Sequence, residues 1–353
     1  MQDHPLIHFD YPISEANIGK QPAEPRDEAK LFVYKTKTDE IFIDKFYNLS
    51  NYLPENSLMV MNNTGVIPAR ALFTKDTGGK VEGLFLYNEG IQEDGTIPVI
   101  VMKKLIPGRE VTIADYRFKI LRQHHQYFYL LPLFDIALLP KVMIQYGTTP
   151  TPHYLGQLDL KESELRNRYQ TIYAEEKKSV AAPTASLHFT ERVFEQLAER
   201  NIERTEVTLH VGMGTFADVS EENIHQRRLH TEPLTISLST ILKLREAKKT
   251  NQNIIAVGTT AIRTIESQAD LILDNNLSKD ILTSTDIFIM PGYDFQLTDS
   301  LITNFHVPKS SLMALVQAFL NHKKAKRDLI SLYKIAIENE FKFYSFGDSM
   351  LIL

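Results

Sequence analysis

The 353-residue chain contains no cysteine, which excludes disulfides, thiolate nucleophiles, iron–sulfur clusters and cysteine-ligated zinc. It also lacks HExxH or any comparable His/carboxylate spacing. His225 and His230 do not fall on one helical face. No resident metal is expected, and no fingerprint of a redox cofactor is present. Long apolar runs are missing too, none approaching the roughly 20 residues that a membrane helix requires. Residues 1–19 carry neither a basic start nor an apolar signal core. The expectation is a cytoplasmic protein without membrane contact. Positive charge is outnumbered, 39 Lys+Arg against 44 Asp+Glu, for a net charge of −5. That balance argues against non-specific coating of nucleic acid and leaves room only for RNA read through a local patch. Candidate patches are Lys103/Lys104 with Arg109, Lys177/Lys178, Arg227/Arg228, and Lys323/Lys324/Lys326/Arg327. Each reads first as solvated surface.

What remains is an ordinary globular composition, 43% hydrophobic and 24% charged, in a chain long enough for two domains. Residues 29–34, 40–43 and 57–61 read as strands, the last closed by Asn62, Asn63 and Thr64. From about residue 66 to 149 the texture changes. Short runs at 81–87, 97–101, 110–113, 117–121 and 127–131 are separated by Gly, Asp or Asn turns, the pattern of an antiparallel β module. The domain expectation is therefore a small β domain over 66–149, inserted in an α/β domain formed by 1–65 and 150–353.

After residue 149 a charged helix is expected over 161–167, and then a strand–turn–helix unit recurs. Strands at 179–182, 207–211, 254–257, 287–290 and 301–303 are each followed by a turn of small, hydroxyl, amide or imidazole residues. Thr190 caps a helix over 191–200; helices over 261–273 and 312–321 follow later turns. Alternating strands and helices predict a largely parallel sheet, open or closed into a barrel. Ligands collect beyond the carboxyl ends of such strands. Agreement among these turns is a stronger sign of an enzyme than any single glycine.

The titratable and aromatic residues at those turns are the candidates for chemistry. His188, His210, His230 and His306 lie in or beside them, with Glu232 two positions after His230. Any one histidine is more often structural than catalytic, and His210 sits inside a strand pattern. Gly212 and Gly214 allow close approach of a ligand to the backbone, followed by Thr215 and Phe216. Thr259 and Thr260 open a helix and are simple caps on the plain reading, yet a helix N-terminus with hydroxyls also binds carboxylate or phosphate. Arg263 and Glu266 are spaced for a salt bridge. Phe189, Phe216, Tyr293 and Phe305 read as core, or as faces for a base or a cation.

The stretches SVAAPTASLHFT (179–190), LHVGMGTF (209–216), VGTTAIRTIES (257–267) and TNFHVPKSS (303–311) resemble the S-adenosylmethionine:tRNA ribosyltransferase-isomerase family of queuosine biosynthesis. So do YQTIYA (169–174), PGYDF (291–295), VIPAR (66–70) and the tail 344–352. The likeness runs in order over nearly the whole chain. It implies a distorted α/β barrel with a small inserted antiparallel β-barrel domain. It also implies transfer and isomerisation of the ribosyl part of S-adenosylmethionine onto 7-aminomethyl-7-deazaguanine in the tRNA anticodon region. The products would be epoxyqueuosine-tRNA, adenine and methionine. The donor is a consumed co-substrate, no cofactor is required, and a monomer is favoured.

Such a reaction needs a base for a proton beside the sulfonium, a cation-tolerant wall and donors for a carboxylate. The expected catalytic residues are His210 or His306 as base, with His230 and Glu232 as an acid or orienting pair. Expected substrate-binding residues are Thr184, His188, Phe189, Gly212, Gly214, Thr215, Phe216, Thr259, Thr260, Arg263, Tyr293, Asn304 and Phe305. The chain departs from the family pattern at Asn63 and Gly65, where an Asp and an Arg are usual, and at Lys178, Ser186, Met213, Arg227, Leu229 and the run 150–154. These departures bear on substrate recognition more than on fold. Alternative readings are a diverged paralogue using the same donor on another amine, and an inactive relative that only binds S-adenosylmethionine or RNA.

Overall fold

A computed structural model of the chain describes residues 6–101, 103–156, 158, 160–212 and 219–353. In chain order, β1 (Lys30–Lys35), β2 (Glu40–Lys45), β3 (Leu58–Asn62) and β4 (Thr64–Val66) lead into six strands of the insert. These are β5 (Arg70–Lys75), β6 (Lys80–Phe85), β7 (Ile97–Val101), β8 (Glu110–Ile113), β9 (Tyr116–His124) and β10 (Tyr127–Pro132). The chain then returns through β11 (Glu176–Ser179), β12 (Glu203–Leu209), β13 (Arg228–Ile236), β14 (Ile254–Val257), β15 (Ile281–Ile287), β16 (Ser300–Asn304) and β17 (Ser349–Ile352).

Among the described residues, the main sheet has nine strands in the order β15-β13-β12-β3-β14-β16-β17-β1-β2. Its centre, β12-β3-β14-β16, is parallel. β3, β14, β16 and β17 are buried along their whole length, as expected where both faces of a sheet are covered. Period-two alternation sorts their side chains. Leu31, Val33, Met59, Ile255, Val257, Ile302 and Leu351 pack on the helix Glu191–Glu199 through Val193 and Leu197. Phe32, Tyr34, Ala256, Leu301, Met350 and Ile352 face the helices Ser311–His322 and Leu329–Glu338. The fold is thus α/β with an added β barrel.

The largely parallel sheet expected from the alternating pattern is confined to that centre and to the β17/β1 pair; the flanks β13/β15 and β1/β2 and the pair β16/β17 are antiparallel. β13 alternates buried and half-buried positions over its second half, so one face covers the core more fully than the other, which suits an antiparallel flank. The strand expected at 287–290 ends at Ile287; Phe288 and Ile289 are buried in the core without belonging to a strand. Apolar character alone does not separate those two outcomes. The helix expected over 261–273 begins earlier and divides at Gln268, into Gly258–Ser267 and Ala269–Leu273.

The inserted strands close into a barrel in the order β10-β7-β6-β5-β8-β9. Phe73, Phe85 and Phe118 fill it, with ring centroids 5.5–6.0 Å apart, and Leu139, Val142 and Met143 of the helix Leu139–Tyr146 join the same core. Closure leaves no unpaired edge. Phe118 is fully buried and also meets Phe134 at 5.2 Å. Phe118→Ala should destabilise the protein by about 3–5 kcal/mol in chemical denaturation; a loss below about 1 kcal/mol would show that the aromatic cluster does not hold the barrel.

Candidate active site

A cavity of about 720 Å³ opens beyond the carboxyl ends of β14 and β16 and beside β13. β14 runs straight into the helix Gly258–Ser267 through Gly258 at φ +85°, a conformation that strains any residue with a Cβ. Val257, at the cap position, offers no side-chain hydrogen bond. The first N–H groups of that helix are therefore available where Gly258, Thr259 and Thr260 line the cavity.

One turn further along, Arg263 lines the same wall and is 7% exposed. Its Nη1 donates to Glu232 Oε2 at 2.5 Å, and the backbone N–H of Gly212 donates to Glu232 Oε1 at 3.1 Å. One carboxylate thus ties together β13, the helix after β14 and the chain leaving β12. The salt bridge expected within the helix does not form. Glu266 instead accepts from the N–H groups of Gln296, Leu297 and Thr298, which pins the segment before β16. A Cβ on Gly212 would lie 2.4 Å from Asn88 Nδ2, so the barrel turn Tyr87–Glu89 packs directly on the entrance to this network.

The opposite wall is aromatic. Tyr154 and Tyr344 meet at 4.8 Å, Tyr154 and Ser345 share a 2.5 Å hydroxyl contact, and Tyr169 and Phe305 complete the lining. Burial pushes the Tyr154 phenol up to about 12 and raises that of Tyr344, so both remain protonated at neutral pH.

The histidines divide. His230 lines the cavity, and its ring makes no hydrogen bond among the described residues. His306 also lines it but is buried. Its Nε2 lies 3.3 Å from Thr303 Oγ1, its Nδ1 3.4 Å from Tyr333 Oη, and Tyr11 Oη donates to its carbonyl. Burial lowers the His306 imidazole to about 3. His188 packs against Phe46 and is lowered to about 4, again chiefly by burial. His210 lies outside the cavity. Just past the end of β12, Val211 enters the lining while His210 turns toward Thr64 Oγ1, 2.9 Å away, and Glu176, 3.4 Å away.

Of the residues expected to bind substrate, Thr184, Thr259, Thr260, Arg263, Asn304 and Phe305 line the cavity, together with His230, Glu232 and His306. Gly212 touches it through Glu232. His188, Phe189 and Tyr293 do not line it. Phe189 meets Phe46 edge-on and stacks on Phe194, and Tyr293 donates to the Glu266 carbonyl. Gly214, Thr215 and Phe216, with Met213, lie outside the described residues. Tyr154, Tyr169, Tyr344, Ser345 and Lys309–Leu312 were missed as site residues, although most belong to stretches with family likeness. The signal was in the motifs, but an isolated aromatic in a sequence reads as core. Asn63 and Gly65 sit away from the cavity. Asn63 Nδ2 lies 3.3 and 3.4 Å from Glu175 and Glu206, where an Asp would add a third carboxylate, and Gly65 leaves room for the Lys177 side chain.

Residues 6–352 match the family model described as "Queuosine biosynthesis protein". The chain is 40% identical to the S-adenosylmethionine:tRNA ribosyltransferase-isomerase of Halothermothrix orenii, with 98% of each chain covered. It is 39% identical to the protein of the same name from Aquifex aeolicus, with 99% of each covered. Among solved structures it resembles that of S-adenosylmethionine tRNA ribosyltransferase from Thermotoga maritima, with a TM-score of 0.54 and 29% identity over 98% of this chain and 99% of that one.

Burial depresses His188, His210 and His306, and the first and last are lowered most. Well above pH 6.5 both are neutral, folded or unfolded, and contribute no pH dependence; near 6.5 the unfolded ring is already half protonated. As pH falls from 6.5 toward 4, the unfolded chain takes up protons that His188 and His306 refuse in the folded state. Stability should therefore drop through that window, each histidine adding up to about 1.4 kcal/mol per pH unit. Denaturation at pH 7, 6 and 5 should show this slope, and His188→Gln should remove one share of it; an unchanged slope would contradict the assignment.

Proposed function

The chain belongs to the queuosine biosynthesis protein family, and on that premise we propose that it acts as an S-adenosylmethionine:tRNA ribosyltransferase-isomerase through the cavity described above. It moves the ribosyl part of the donor onto the aminomethyl group of 7-aminomethyl-7-deazaguanine in tRNA, rearranging it to epoxyqueuosine. Adenine and methionine leave. S-adenosylmethionine is consumed as a substrate, and no resident cofactor is needed. The carrying observation is that separate turns, after β14, after β16 and along β13, converge on one hollow of ligand size.

The chemistry divides over the walls. The helix start at Gly258–Thr260 offers N–H donors and a positive dipole end to the donor's anionic terminus. Tyr154, Tyr344 and Phe305 give a cation-tolerant face for the sulfonium. The sulfonium acidifies the C5′–H bond; a base takes that proton, and the resulting carbanion starts the rearrangement that expels adenine and then methionine. His230 is the best-placed base. It lines the cavity and its ring makes no hydrogen bond among the described residues, whereas His306 is held at low basicity by burial and His210 is outside. His306 and His210 instead support the turn after β16 and the end of β12. Action on the anticodon region, as a monomer in the cytoplasm, belongs to the same reading and rests on the family likeness. No helix among the described residues is long and apolar enough to cross a membrane.

Incubation with S-adenosylmethionine and precursor-bearing tRNA should release adenine and give epoxyqueuosine by mass analysis of the nucleosides. Release only with a small free amine would point to a different acceptor, and binding without release to an inactive relative. His230→Gln should lower kcat by roughly 10²–10⁴ with little change in KM for the donor; a loss under about threefold would remove His230 as the base.

A further inference from the structure

Arg263 is more than a strut for Glu232. A guanidinium has five N–H donors, and this one spends Nη1 on Glu232 while Nε and Nη2 find no acceptor among the described residues. Native interiors rarely leave such donors unmatched, because each costs the full desolvation of the group. An unmatched, nine-tenths buried arginine in a cavity wall, one turn from a helix N-terminus, marks a place that an anion completes.

The anion's class follows from the depth. Arg263 is nine-tenths buried in the cavity wall, a setting that suits the narrow end of a small molecule better than a phosphate on a polynucleotide backbone. Of the two substrates, only S-adenosylmethionine offers a small terminal carboxylate. Glu232 has both oxygens engaged, one by Arg263 and one by the Gly212 N–H. That makes it a positioning residue, fixing the plane of the guanidinium. We propose that Arg263, oriented by Glu232, reads the α-carboxylate of the methionyl end of the donor, and that Glu232 therefore sets donor selectivity rather than moving a proton. The inference rests on the donor-binding reading above and adds which end of the donor the site distinguishes.

The test compares S-adenosylmethionine with its decarboxylated counterpart, which keeps the sulfonium, the adenosine and the amine. Binding is titrated calorimetrically, alone and with unmodified tRNA, so the result does not depend on turnover; loss of the proposed reaction would show separately as absent adenine release. The wild-type protein should prefer the carboxylate-bearing donor by roughly 10-fold to 100-fold, the worth of a charge-assisted hydrogen bond. Arg263→Met should collapse that preference to about twofold by weakening S-adenosylmethionine alone, with Arg263→Lys intermediate. Glu232→Gln should reduce the preference while leaving the pH profile of kcat in place. Equal wild-type affinity for the two donors would overturn the proposal without any variant needing to fold. So would equal weakening of both donors by Arg263→Met, or a shifted pH profile in Glu232→Gln.

Discussion

The Glu232–Arg263 ion pair is the constraint on which the site depends. It is short, nearly inaccessible to water, and reinforced by the Gly212 N–H. Removing either partner from such a pair strands a charge in a poorly solvated wall, at a cost of about 3–5 kcal/mol. The pair itself is not a large source of net stability, since both ions give up hydration. Its contribution is geometric: it fixes a β13 residue, the helix after β14 and the chain leaving β12 in one register.

The sheet explains why those elements meet at all. β12, β3, β14 and β16 run parallel, so their carboxyl ends share one edge, and the turns after β14 and β16 face the same space. β3, β14 and β16 are buried on both faces, while the turns carry the polar groups. The barrel is not remote from this edge. Asn88 packs against Gly212, and Val180, just past β11, joins the barrel core. The inserted unit therefore braces the same corner that Glu232 ties down.

Much of this was legible in the residues. Gly258, Thr259 and Thr260 announced a helix opening at a strand end, and the insert's short runs between turn residues became barrel strands with nearly the same limits. The antiparallel flanks were not legible, because strand direction depends on partners that are distant in sequence. The partner of Arg263 was missed for a related reason. Glu266 stood at helical spacing, but it is claimed by the N–H groups at Gln296–Thr298, leaving Glu232 for the arginine. His210 reads as part of a strand and His306 as the close of one before Pro308, and neither pattern shows where the ring goes. The chain leaving β12 turns His210 toward Thr64 and Glu176, and burial strips His306 of basicity. Tyr154 and Tyr344 come together only because the segment after the barrel folds back on the C-terminal tail.

The claim that one hollow takes the donor is most directly tested by amide hydrogen exchange with and without S-adenosylmethionine. Donor binding should slow exchange at Gly258–Thr260, at Arg228–Glu232 and around Asn304–His306, leaving the barrel strands unchanged. Protection confined to the barrel, or absent from the start of the helix after β14 at saturating donor, would contradict the account.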